Sequence, residues 1–212
     1  MPDKNTVVVT GFGPFGEHEV NASWVAVQEL AKMGLSNDVE LLVCEIPVIY
    51  KDVKERVPLL WKKYDPVLVV HVGVSGIATE LTLEQQAHNS GYDKPDVKLM
   101  VPSTACCISD GPDCMLSHIN MSLVCEEVNQ SDCCVKAVVS YNAGRYLCDF
   151  TYYTSLSQNC DCAAFIHVPP LGKPYAGNQL AQGLKIAILS MLKQVKGQGA
   201  LNVLKQVQGQ GS

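Results

Sequence analysis

Two patterns of apolar spacing alternate along this chain. Continuous apolar runs at "TVVVTGF" (6–12), "VELLVCEIPV" (39–48), "PVLVVHVGVSG" (66–76), "VKAVVSYNAG" (135–144) and "AAFIHVPP" (163–170) predict buried strands. Between them lie segments of helical period. "NASWVAVQELAKMG" (21–34) places Trp24, Val27, Leu30 and Ala31 on one face, with Asn21 to cap the helix and Gly34 to end it. "YKDVKERVPLLWKKY" (50–64) is helical with a kink or break expected at Pro58. "RYLCDFTYYTSLSQ" (145–158) and "NQLAQGLKIAILSMLKQV" (178–195) complete the helices, with a weaker one over 115–129. Residues 78–89 predict an extended segment, and 90–112, rich in Gly, Pro, Asp and Ser, an irregular one.

Strands alternating with helices predict a doubly wound α/β fold, its mainly parallel sheet covered by helices on both faces. Ligands of such sheets sit beyond the C-terminal ends of the strands. That rule selects the loops after Phe12, Val74 and Asn142, and the segment His167-Val168-Pro169. The chain ends in a near-repeat, "LKQVKGQG" (192–199) and "LKQVQGQG" (204–211). Two copies are too few for a solenoid. The expected organisation is one domain over 1–195 and a low-complexity tail over 196–212.

Composition narrows the function classes. Of the 212 residues 47% are hydrophobic and 17% charged, enough apolar surface for a folded core. The net charge of -5 and the scattered basic residues give no stripe for nucleic acid or an anionic membrane. No apolar run is long enough to cross a bilayer, and "MPDKNTVVVT" has no secretory apolar segment, so the expected location is the cytoplasm. There, ten cysteines are expected to stay reduced.

One cysteine stands apart. Cys148 follows Gly144 and Arg145 at the start of a predicted helix. Unpaired N–H groups and the positive end of the helix dipole favour a thiolate there, and the Arg145 guanidinium adds to the effect if it faces the same way. His167 closes the next predicted strand, 19 residues further on. A histidine after four apolar residues needs a partner, and its imidazole can relay the thiol proton. Glu80 and Glu84 are the carboxylates placed to orient that ring, and the pattern does not choose between them. Asp149 adjoins Cys148 but points about 100° away on a helix.

"GFGPFG" (11–16) has neither the spacing of a dinucleotide fingerprint nor a phosphate-binding lysine. Phe12 and Phe15 suit a flat, uncharged ligand, although a nucleotide site on this loop is an alternative. Cys106-Cys107, Cys133-Cys134 and Cys160-Asp161-Cys162 lack metal-site spacing and are read as incidental thiols.

Together "VVVTGFGPFG", "HVGVSG", "LTLE", "GRYLCDFTYYTS" and "FIHVPPLGKPY" resemble, in order and spacing, the pyroglutamyl-peptidase I family of cysteine peptidases in its vertebrate-like form. The resemblance implies an α/β/α sandwich and removal of N-terminal pyroglutamate from peptides without metal or cofactor. It implies Cys148 as nucleophile, His167 as general base, Glu84 in preference to Glu80 as the orienting carboxylate, and Phe12 and Phe15 around the lactam ring. It points to a monomer. "AHNSGYDKPD" lacks the arginine that bacterial members place after the glutamate motif to help hold the oxyanion. That departure motivates a second reading, a catalytically weakened binder of pyroglutamyl peptides.

Overall fold

The computed structural model describes residues 5–16 and 19–209, with side chains as far as Gln198. Among the described residues, eight strands and five helices follow one another as β1 (Asn5–Phe12), α1 (Ala22–Met33), β2 (Val39–Ile46), α2 (Tyr50–Tyr64), β3 (Leu68–Val74), β4 (Leu81–Glu84), β5 (Gln86–His88), β6 (Cys114–Leu116), α3 (Met121–Gln130), β7 (Ala137–Ser140), α4 (Leu147–Leu156), β8 (Ala163–Val168) and α5 (Gly177–Gly209). Six strands form the main sheet in the order β2-β1-β3-β8-β4-β7, and β5 and β6 form a small antiparallel ribbon.

The period-2 alternation of the strands builds two cores, one on each face. Val7 and Val9, Val70 and Val72, and Ala164 and Ile166 pack under α1, α3 and α5. Phe12, Ala163 and Phe165 point the other way, against Val53 and Val57 of α2 and Phe150 of α4. The result is the expected three-layer α/β/α sandwich. Asn21 caps α1 through Ser23 N–H, and Gly34 ends it, as the sequence predicts.

Several elements differ from expectation. α2 runs unbroken across Pro58. The carbonyl that loses its partner belongs to exposed Lys54, where water can satisfy it. The extended segment 78–89 divides into β4 and β5, and the weak helix over 115–129 gives its first residues to β6. The last helix continues to Gly209, past the expected end at Val195, so the tail begins as helix. The end of the second repeat copy, at 210–211, lies outside the described residues.

The correction that matters for the site concerns strand direction. β1, β2, β3 and β8 are mutually parallel. β4 is antiparallel to β8, and β7 is parallel to β4. The end of β7 is therefore not beside the end of β8, contrary to the idea that two neighbouring strands deliver Cys148 and His167 to one rim. Ser140 stands opposite Glu84, and Glu84 opposite Phe165, two residues short of His167. The loop 141–146 carries the chain back, turning at Gly144 with φ +84°, a value that L side chains rarely adopt.

Candidate active site

Cys148 is the second residue of α4. The preceding Tyr146 supplies no side-chain cap, so the helix opens with backbone donors directed at the site. Directly beneath lies Gly73 of β3: a Cβ built there would stand 2.8 Å from the Cys148 sulfur and 2.8 Å from the Phe165 ring. Only a bare backbone leaves room for the thiol to settle on the sheet. In the sequence Gly73 shows only as an interruption of an apolar run, in phase with His71. Its importance comes from what lands on it.

Gly73 pairs in register with His167 of β8, which brings the imidazole beside the sulfur. His167 is 7% exposed and Glu84 1% exposed. Their Nδ1 and Oε1 atoms are 2.8 Å apart. The Glu84 main chain is fixed as well, its carbonyl accepting from Tyr152 Oη at 2.8 Å. Burial pulls His167 toward the neutral form. The Cys148 sulfur, which faces and hydrogen-bonds the ring, and then Glu84 outweigh that and push His167 up to about 10. Cys148, His167 and Glu84 are thus brought together. Glu80 lines the same cavity, but no hydrogen bond joins it to His167 among the described residues.

Two neighbours of the cysteine do something other than expected. The Arg145 guanidinium has its partners elsewhere, one of them the Asp149 carboxylate at 3.7 Å. It donates to Asn142 Oδ1 at 2.8 Å and to the Gly144 carbonyl at 2.6 Å, so it braces the returning loop. Asp149 turns into the protein and is fully buried. Its carboxylate accepts from His88 N–H at 3.3 Å and from Tyr92 Oη at 3.1 Å, tying the first turn of α4 to β5. Burial raises its pKa, against the opposing pull of His88, Tyr92 and Arg145.

The group sits in a cavity of about 750 Å³ whose lining includes Phe12, Phe15, Ile77, Glu80 and Val138. Phe12 is almost wholly buried at the end of β1 and Phe15 half-buried, so their ring edges form one end of the space. Ile77 and Glu80, between β3 and β4, form the other. Three strand spacings separate β1 from β4 in the sheet, about 14 Å. Cys148, over β3, lies between.

The nucleotide alternative loses its donors. Phe12 N–H is bonded to Ser23 Oγ at 3.0 Å and Gly13 N–H to the Ile46 carbonyl at 3.0 Å. A Cβ on Gly11 would meet the Trp24 Cα at 2.9 Å, so α1 packs closely against the end of β1 where the loop begins. All ten cysteines are free. Cys160 and Cys162 do not act as a pair: burial drives the Cys162 thiol up to about 12, while Cys160 turns toward His118.

Comparison with known proteins shows the family. The profile of a family described as "Pyroglutamyl peptidase" matches residues 5–201. The chain is 54% identical to "Pyroglutamyl-peptidase 1" of Homo sapiens over 198 residues, covering 92% of this chain and 95% of that protein. It is 40% identical over 169 residues to the human "Pyroglutamyl-peptidase 1-like protein", covering 79% and 85%. Among solved structures, the pyrrolidone carboxyl peptidase of Fervidobacterium islandicum superposes with a TM-score of 0.80 at 28% identity, covering 90% of this chain and 99% of that one.

Proposed function

The chain belongs to the pyroglutamyl peptidase family, as a cysteine omega-peptidase acting on peptides that begin with pyroglutamate, and on that premise we propose that Cys148 is its nucleophile, His167 its acid and base, and Glu84 the group that orients His167. The observation that carries this assignment is the His167–Glu84 contact of 2.8 Å with the Cys148 sulfur on the far side of the ring, over Gly73.

At neutral pH the site holds an imidazolium facing the Cys148 sulfur. The pyroglutamyl lactam is small and neutral, and it enters the Phe12–Phe15 end of the cavity. The rest of the space, toward Ile77 and Glu80, takes the peptide that will leave. An ordinary α-ammonium at the aromatic end loses its hydration, and of the two carboxylates that line the cavity Glu84 is engaged by His167 and Glu80 belongs to the segment between β3 and β4. The thiolate attacks the pyroglutamyl carbonyl, and the Cys148 N–H at the opening of α4 faces the developing oxyanion. The His167 proton passes to the departing amine, which leaves a thioester and a neutral imidazole. That imidazole takes a proton from water, hydroxide adds to the thioester, and pyroglutamate departs as the thiol is restored. Glu84 holds the Nδ1 proton throughout, so Nε2 is the atom that exchanges protons.

The 54% identity to Pyroglutamyl-peptidase 1, against 40% to the peptidase-like protein, supports turnover over the reading as a weakened binder. We place the enzyme in the cytoplasm as a monomer. Ten free thiols fit a reducing compartment, and among the described residues no helix is long and apolar enough to cross a membrane. Residues 1–195 are read as one peptidase domain, with 196–212 as an appendage to it.

Release of a fluorogenic amine from a pyroglutamyl amide tests the assignment. Cys148→Ala and His167→Ala should each lose on the order of 10⁴-fold or more in kcat/KM, because members of one catalytic unit fail together. Near-normal turnover by Cys148→Ala contradicts the nucleophile.

A further inference from the structure

Away from the catalytic cavity, one junction of the fold gathers three metal-binding side chains. His118 lies between β6 and α3, and Cys160 and Asp161 lie between α4 and β8. The segments are fastened to each other by His118 N–H donating to the Cys160 carbonyl at 2.9 Å. The Asp161 amide is held by Asn159 Oδ1 at 2.9 Å, and Gln198 of α5 donates to the His118 carbonyl at 3.4 Å. The backbones are therefore in place before any ligand arrives, which reduces the ordering cost of binding.

The ligand atoms are close to a coordination geometry. Cys160 Sγ is 3.7 Å from both ring nitrogens of His118. His118 Nδ1 and Asp161 Oδ1 are 2.5 Å apart, and one ligand atom from each of the three residues falls within 4.8 Å of the others. Zinc bonds of about 2.3 Å to sulfur and about 2.0–2.2 Å to nitrogen and oxygen give tetrahedral edges of about 3.6 Å for S···N and about 3.4 Å for N···O. The sulfur–nitrogen edge to Nδ1 already matches. The nitrogen–oxygen pair is hydrogen-bonded and opens by about 0.9 Å when an ion replaces the shared proton. His118 and Asp161 side chains are 59% and 60% exposed, which gives them the freedom to move and the ion a way in.

We infer that His118, Cys160 and Asp161 form a surface site for a zinc-class divalent cation, with water in the fourth position. Thiolate and imidazole select a borderline-soft metal over magnesium or calcium. On binding, the imidazole proton moves to Nε2 and the thiol proton goes to solvent, so affinity rises with pH. None of the three residues lines the catalytic cavity, so the ion clamps the loop leading into β8 and takes no part in hydrolysis.

The test uses the full chain carrying Cys148→Ser, which keeps the catalytic thiol from competing, titrated with cobalt(II) as a spectroscopic substitute for zinc. One equivalent should bind with a near-ultraviolet thiolate-to-cobalt band that zinc bleaches, and zinc should raise Tm. Adding Cys160→Ser should abolish the band, and His118→Ala or Asp161→Asn should weaken binding about tenfold or more. The metal-free Tm of each variant reports whether the fold is kept. Absence of the band in the Cys148→Ser protein overturns the site, as does a band unchanged by Cys160→Ser or His118→Ala. Neither result bears on the catalytic assignment.

Discussion

Two buried histidines face the same α2–α4 layer from neighbouring strands, and they have opposite fates. His71 on β3 is fully buried, with Nδ1 against the Thr10 hydroxyl at 2.7 Å. No charge compensates it, and burial drives it down to about 3. His167 on β8 is nearly as enclosed, yet the Cys148 sulfur and Glu84 push it up to about 10. The sheet offers both rings a similar dielectric. What differs is the neighbour set two residues along the strands, where Gly73 makes room for sulfur and Glu84 reaches across from β4. A buried histidine stays neutral or carries charge according to its partners, and depth alone does not decide.

That contrast can be broken most severely from below. Gly73→Ala places a methyl carbon 2.8 Å from the Cys148 sulfur and from the Phe165 ring, so either the Cys148 thiol or the ring must move. A displacement of about 1 Å costs about 10²-fold in kcat/KM, with alkylation of Cys148 slowed in parallel. Full activity in this variant would show that the cradle is idle.

Glu84→Gln removes one of the partners that hold His167 charged, at a cost of about 10- to 10²-fold, the worth of about 1.5–3 kcal/mol for a hydrogen bond to a charged group. The sign for pH follows from the raised pKa. The stability from the charged ring is fully present below the unfolded value of 6.5 and is lost as pH rises through about 10, and the folded enzyme loses its charged ring over that same alkaline range. Glu84→Gln should move that alkaline loss to lower pH, whereas replacing His71 should leave it where it is. A pH–rate profile for each variant decides the matter.

The smallest effect concerns the anchor of α4. Asp149→Ala leaves the His88 amide without its acceptor, while the Tyr92 hydroxyl keeps the His88 carbonyl, costing about 1–3 kcal/mol, or about 2–4 °C of Tm for each kcal/mol. Asp149→Asn should cost much less, because burial already disfavours the charge and an amide oxygen still accepts. Thermal melts of the pair separate the two.

Much of this was legible in the chain. Apolar runs and helical periods placed the main strands and helices, and the start of α4 singled out Cys148. The direction of β7 was not legible: four residues on a half-exposed edge carry an alternation that reads the same either way. Nor could pattern separate Glu84 from Glu80, since the choice rests on which one faces Phe165 and His167 across β8. The family resemblance pointed to Glu84. His118 and Cys160 meet only because β6 and the α4–β8 loop are joined through the fold, a contact that no local spacing announces.

The most direct measurement is a nitrogen-detected NMR titration of the two rings in the intact enzyme, from mildly acidic to strongly alkaline pH. His167 should remain an imidazolium through neutrality and lose its proton near 10, while His71 stays neutral throughout. An uncharged His167 at neutral pH, titrating like a free imidazole, would contradict the charged ring between Cys148 and Glu84 on which the catalytic account stands.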